Sequence, residues 1–220
     1  MTTTTDTSAP ISPGARILKN AANFFSFVFS PLLGPTYAIA IIWNSTIMYL
    51  LPTSTMRTLR LVVFGLTCVF PMLAIAILYK LKIVSDPGLN RQKERTIPFA
   101  ISAAGYIACI IFLRHIQSPG WLTMFMAGGL VALVIAAIIN TRWKISVHLT
   151  AMGGLMAFVV RLLVDNMMLF HAEVWLIVSI LAAGLVGTSR LILRRHTPMQ
   201  VLAGCANGFV WVYLLTAITY

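Results

Sequence analysis

Acidic side chains are nearly absent from this chain. Five Asp and Glu stand against sixteen Lys and Arg in 220 residues, a formal net charge of +11. Charge of either sign is scarce, at 10% of residues, whereas a soluble domain carries about 25% charged and roughly 45–50% apolar residues. With 59% hydrophobic residues and a mean hydropathy of +0.91, a soluble fold is excluded. Cysteine is scarce as well. Cys68, Cys109 and Cys205 lie inside apolar runs and form no CxxC, so they read as small core or lipid-facing residues rather than a disulfide framework. The stretch Met1 to Pro13 is rich in Thr, Ser and Pro and has one acid, Asp6. It lacks the basic start and apolar core of a secretory signal, and residues 1–14 read as a disordered tail.

What the chain does have is long apolar runs. A transmembrane helix needs about 20 mostly apolar residues, and the runs fall at about 32–52, 59–82, 97–116, 121–140, 147–168, 173–193 and 198–219. Pro52, Ser85-Asp86-Pro87-Gly88, Ser118-Pro119-Gly120, Thr141-Arg142 and Thr197-Pro198 mark the boundaries between them. Pro31, Pro35, Asn44 and Ser45 interrupt the first run, so the count is six or seven. Ahead of it, Ala15 to Phe29 mixes Arg16 and Lys19 with four phenylalanines, which suits an interfacial helix. The expected fold is therefore all-α, a polytopic transmembrane helical bundle forming one membrane domain over 15–220.

If seven segments span, the loops 83–96, 141–146 and 194–197 share a face with the N-terminus. That face and its helix ends collect twelve cations, against Arg57, Arg60 and Arg114 opposite, with Arg161 inside a span. Two explanations compete. Cytoplasmic loops gather Lys and Arg in any membrane protein, and cations also gather where phosphate binds.

The polar residues among these cations bear on that choice. The first loop reads Asn90-Arg91-Gln92-Lys93-Glu94-Arg95-Thr96-Ile97-Pro98, and the second Arg142-Trp143-Lys144-Ile145-Ser146-Val147-His148. The third reads Ser189-Arg190, five residues, His196, three residues, Gln200. Two histidines at one membrane level among several cations fit phosphoryl transfer. One imidazole can attack phosphorus, the other can protonate the leaving oxygen, and guanidinium groups can neutralise the equatorial oxygens.

The third signature resembles the closing motif of the type 2 phosphatidic acid phosphatase superfamily, the membrane lipid phosphate phosphatases. Ser189, Arg190 and His196 match in identity and spacing, and Gln200 stands where the family has Asp. The family's middle motif, Pro-Ser-Gly-His, survives as Ser146 and His148. Its first motif is echoed in character but not in spacing by Arg91, Lys93, Arg95 and Pro98. The resemblance covers about 85–208, a phosphatase-like core.

The resemblance implies a metal-independent phosphatase acting on a lipid phosphate or diphosphate through a phosphohistidine. His196 would be the nucleophile and His148 the acid. Arg190, Ser189 and Ser146 would hold the phosphate, with Arg91, Lys93 or Arg95 completing the clamp and Gln200 orienting His196. No cofactor and no metal are expected: Asp86 and Glu94, the carboxylates near this face, are too few for an all-carboxylate Mg²⁺ cage. A glutamine carbonyl can orient the imidazole but supplies no charge. Either the enzyme is slower, or Asp86 or Glu94 substitutes, or the chain is a non-catalytic protein that binds or moves anionic lipids. The expected partners are the bilayer and a phosphorylated lipid, not nucleic acid. The expected location is a bacterial inner membrane. The resemblance puts the site on the extracytoplasmic side, whereas the raw charge count says the reverse. Arg161 and Asp165 read as a structural pair, and Gly204 and Gly208 as close packing within the bundle.

Overall fold

The computed structural model describes residues 12–218; residues 1–11, most of the expected tail, lie outside the described part. Ser12 caps the first helix, α1 (Pro13–Val28), by accepting a hydrogen bond from the Ala15 amide at 3.3 Å. The helix thus starts inside the stretch expected as tail. It stops because Pro31 pushes Ser30 out of the helical region, to ψ 139. A short turn, Pro31–Leu33, then leads into α2 (Gly34–Ser45).

Helices α3 (Thr53–Phe64) and α4 (Phe70–Lys80) are joined by a π turn over Gly65–Val69. Pro71 lacks the N–H that an unbroken ladder would use there, which favours such a bulge. The remaining helices are α5 (Thr96–His115), α6 (Gly120–Arg142), α7 (Val147–Val164), α8 (Ala172–Ile192) and α9 (Pro198–Ala217). Among the described residues there is no strand, only an isolated bridge between Thr46 and Met168.

Seven stretches are long and apolar enough to cross a membrane: Pro13–Ser45, Thr53–Lys80, Gln92–His115, Gly120–Arg142, Val147–Val164, Ala172–Ile192 and Pro198–Ala217. The protein is an all-α polytopic bundle, with seven such stretches rather than six. The first joins α1 and α2 across the Ser30–Pro31 break.

The core forms around α7, whose Met152, Phe158 and Leu162 are fully buried. Its contact with α9 depends on missing side chains. A Cβ on Gly208 would collide with the Thr150 carbonyl, one on Gly204 with the Ser146 carbonyl, and one on Gly153 with the Cys205 carbonyl. The Gly204–Gly208 pair is therefore used inside the bundle, as expected. Gly184 behaves differently: it meets nothing and borders a groove between α1 and α8.

Alternation of the helices brings the start of α5, α7 and α9 and the end of α4, α6 and α8 to one end of the bundle. At the other end Arg161 donates to both carboxylate oxygens of Asp165 at 2.8 and 2.7 Å. Helix α1 runs toward the first end, where the Ser26 carbonyl accepts from His148 Nε2 at 3.2 Å. It packs on α8, and residues from Leu18 to Phe25 and from Ile180 to Ile192 line the groove between them. Arg16 precedes Ser26 by ten residues, about 15 Å of helix. Arg16 and Lys19 thus belong to the end of α1 remote from the polar loops, which removes two cations from the count assigned to that face.

Candidate functional site

Three loops meet at this end, and backbone geometry welds them. Gln92 donates to the Asn140 carbonyl at 2.6 Å and Asn140 returns a bond to the Gln92 carbonyl at 3.0 Å, tying the first loop to the end of α6. Arg95 is buried and donates to the Leu89 carbonyl at 2.8 Å and to the Ile145 carbonyl at 3.1 Å, linking the first loop to the second. The Ser146 amide donates to the Gln200 carbonyl at 3.3 Å, linking the second to α9. Helix α8 closes in a Schellman-type turn: the Arg195 amide bonds the Arg190 carbonyl at 3.1 Å, and Arg194 takes φ 52, a position where glycine is usual. That turn brings the chain from Arg190 back to His196 within six residues.

His196 is held by a helix cap. Thr197 caps α9, accepting from the Gln200 amide at 3.4 Å, while Gln200 Oε1 accepts from the Thr197 amide at 3.2 Å. The same Oε1 lies 3.1 Å from His196 Nδ1. A backbone N–H can only donate, so this amide atom is the oxygen, and Nδ1 of His196 must carry the proton. Nε2 is left with its lone pair. Burial first, and then Arg190, Arg95 and Lys144, lower the His196 pKa to about 3, with the Gln200 contact opposing them. The imidazole is neutral at pH 7, as a nucleophile must be. The Lys144 ammonium is also destabilised, by burial and then by Arg95, Arg190 and Arg195.

His196 separates two spaces. On one side is a cavity of about 380 Å³ lined by His148, Arg95, Arg190 and Arg195 together with Asn23, Ser26, Phe27, Asn90 and Phe99. On the other is an open recess bordered by Lys144, Arg194, Thr197 and Gln200. Arg190 is 7% exposed, forms no ion pair among the described residues, and its Nε has no partner. A buried cation without an acid is costly, and a bound anion would relieve it.

Of the residues read from the sequence, His148, His196, Arg95 and Arg190 meet at this cavity, and Gln200 touches His196 from behind. Arg91 and Lys93 do not reach it: the Arg91 side chain is 73% exposed and pairs with Glu94 at 3.4 Å, and Lys93 is exposed. Ser189 spends its hydroxyl on the Leu185 carbonyl of its own helix, at 2.7 Å, and lines the groove behind α8 instead. Ser146 is wholly buried at the start of α7, its hydroxyl without a partner. Neither candidate acid reaches His196. Asp86 accepts from the Gly88 amide at 2.9 Å and from Asn90, and these bonds lower its pKa although burial opposes them; Arg195 adds to the lowering. Glu94 is taken up by Ser85 at 2.8 Å and by Arg91. Among the described residues no three His, Cys, Asp or Glu gather as a metal site.

Sequence reading missed Asn23, Ser26 and Ser30, which bring α1 to the cavity. A signal was present for two of them: Asn23 and Ser26, three apart, share a helix face amid phenylalanines, while Ser30 lies just beyond the helix.

No curated protein and no solved structure matches the chain. Residues 140–220 match the family model of the PAP2 superfamily. That segment holds Ser146, His148, Ser189, Arg190, His196 and Gln200 but stops short of Arg95, whose place at the cavity rests on the geometry alone. The matched segment carries the two histidines and Arg190 of one cavity, and it is this segment, residues 140–220, that is similar to the PAP2 superfamily.

Proposed function

We propose that this protein is a membrane phosphatase that hydrolyses a lipid phosphate or diphosphate through a phosphohistidine on His196. Members of the superfamily are phosphatases. The observation that carries the reading is the pairing of a tautomer-locked imidazole with an unpartnered buried guanidinium. His196 Nδ1 is tied to Gln200 at 3.1 Å, and Arg190 lines the same cavity without an acid.

In the first step the Nε2 lone pair of His196 forms a bond to phosphorus as the phosphorus–oxygen bond to the lipid breaks. Arg190 and Arg95 stabilise the equatorial oxygens. His148, as imidazolium, gives its Nε2 proton to the departing oxygen and becomes neutral. That nitrogen now donates to the Ser26 carbonyl at 3.2 Å, so the leaving oxygen takes over a hydrogen bond that already exists. Water then attacks phosphorus and gives a proton to His148, and the phosphorus–nitrogen bond breaks to release phosphate.

Purified protein should release phosphate from lipid phosphates without added divalent metal. Equal, slow release by wild type and His196→Ala across a panel of lipid phosphates would sink the proposal. Acid-labile phosphate should accumulate on His196 in His148→Ala. A competing reading, a protein that binds or moves anionic lipids, draws on one observation: no carboxylate touches His196 among the described residues. Lipid binding without turnover, indifferent to His148→Ala, would favour it. The phosphatase reading goes with a bacterial inner membrane and an extracytoplasmic site, which cysteine accessibility in the loop 83–96 tests.

A further inference from the structure

The cavity beside His196 is larger than a phosphate requires. At about 380 Å³, it compares with roughly 30 Å³ for one water in the liquid, so the phosphate cage of Arg95, Arg190 and His196 occupies only one end. A further wall is α1, with Asn23 and Ser26 three apart on one face and Ser30 just past its end, and Asn90 reaches the same space from the first loop. All four are neutral and able to donate and accept hydrogen bonds.

Ser26 is the informative member. Buried helical hydroxyls in this protein are generally satisfied by their own helix: Thr67 donates to the Val63 carbonyl at 2.8 Å, Ser189 to that of Leu185 at 2.7 Å and Thr216 to that of Val212 at 2.7 Å. Ser26 has only 8% of its surface exposed, yet its hydroxyl has no partner. Among the described buried hydroxyls without one, it is the one that lines the cavity. A buried polar atom left unpaired calls for a reason, and a ligand hydroxyl supplies one.

The chemistry of this wall is selective. The cavity's third cation, Arg195, stands on the loop after α8 and is free to meet a second phosphate, whereas α1 brings no cation to the cavity, its Arg16 and Lys19 being at the far end. A bare hydrocarbon chain next to the phosphate would bury the hydroxyl of Ser26 unpaired. We propose that α1 is a headgroup-selecting wall, which favours a lipid phosphate whose leaving group carries hydroxyls beside the phosphate, of the glycerol or sugar type. The proposal rests on the phosphatase reading and narrows it.

The test compares three phosphates with one chain length on the purified full-length protein: dodecyl phosphate, 1-O-dodecylglycerol 3-phosphate and dodecyl glucoside 6-phosphate. For the wild type, kcat/KM of at least one hydroxylated substrate should exceed that of dodecyl phosphate by about tenfold or more, the worth of one or two well-made hydrogen bonds. The glycerol and sugar arms show which headgroup fits. Ser26→Ala and Asn23→Ala should each cut the preference several-fold. The second replaces an exposed residue, so it reports even if the first disturbs the packing of α1 on α8. Equal turnover of all three substrates by the wild type, or a preference unchanged in both variants, overturns the selecting wall while the phosphatase reading stands. If no substrate is hydrolysed faster by wild type than by His196→Ala, the phosphatase reading falls and the wall with it.

Discussion

Gln200 holds His196 with the same side-chain oxygen that closes the cap of α9, 3.1 Å from Nδ1 and 3.2 Å from the Thr197 amide. Orientation of the imidazole is thus a by-product of helix capping. The bond fixes the tautomer but places no charge beside the imidazolium-like nitrogen that the proposed mechanism develops in its transition state.

Restoring that charge should therefore quicken the reaction. Gln200→Asp is expected to raise kcat about tenfold, since a charge-assisted hydrogen bond is roughly twice as strong as a neutral one. Gln200→Leu should lower it by about a hundredfold or more, because the wrong tautomer becomes accessible. Steady-state kinetics on one lipid phosphate decides both, and a faster Leu variant would refute the orienting role.

Acid should spare the chemistry of His196 while eroding the fold. Its pKa lies at about 3 in the folded protein, against about 6.5 for an unperturbed imidazole. Between these values the unfolded chain binds a proton that the folded one refuses, so stability falls as pH drops from about 6.5 toward 3. His196→Gln should flatten this part of the profile of Tm against pH. An identical profile in the variant would show that His196 is not the refusing group.

The cations should separate sharply. Arg190→Ala and Arg95→Ala are each expected to cost about a hundredfold or more in kcat/KM, and Arg190→Lys to recover only part of the loss because a lysine offers no planar fork. Arg91→Ala, at a side chain 73% exposed, should stay within about twofold. A loss at Arg91 as large as at Arg190 would contradict the arrangement of the first loop.

Packing between α7 and α9 tolerates no addition at Gly208, where a Cβ would collide with the Thr150 carbonyl. Gly208→Ala is expected to destabilise the protein by about 1–3 kcal/mol, as overpacking of a tight core does. Thermal unfolding in detergent reads this, and Gly184→Ala, at a site with nothing within 4 Å, serves as the comparison.

These sites also show what could be read before the fold was seen. Six of the spans were legible because a bilayer demands long apolar runs, but the first was not: the run read as 32–52 ends at Ser45, and the apolar stretch there, Pro13–Ser45, takes in the helix expected at the interface. His148, Arg190 and His196 were legible from spacing within short segments. The choice among Arg91, Lys93 and Arg95 was not. It depends on a short 3-10 turn over Gln92–Arg95, whose threefold period turns Gln92 and Arg95 inward together and leaves Lys93 outside. The resemblance implied Ser189 as a phosphate ligand, but its hydroxyl bonds its own helix. The contact of His148 with Ser26 joins residues 122 apart, and no local pattern announces a partner at that distance.

The glycine contact between α7 and α9 has a mechanical consequence. With the carbonyls of Ser146, Thr150 and Cys205 seated where side chains would stand, these helices cannot slide on each other, and His148 and His196 move as one body. Any accommodation to a substrate must come from the other walls, α1 and the loop that carries Asn90. On the proposed function, substitutions in α1 and the loop 83–96 are therefore the ones expected to change which substrate is accepted, and those between α7 and α9 the ones expected to disturb the relation of the two histidines.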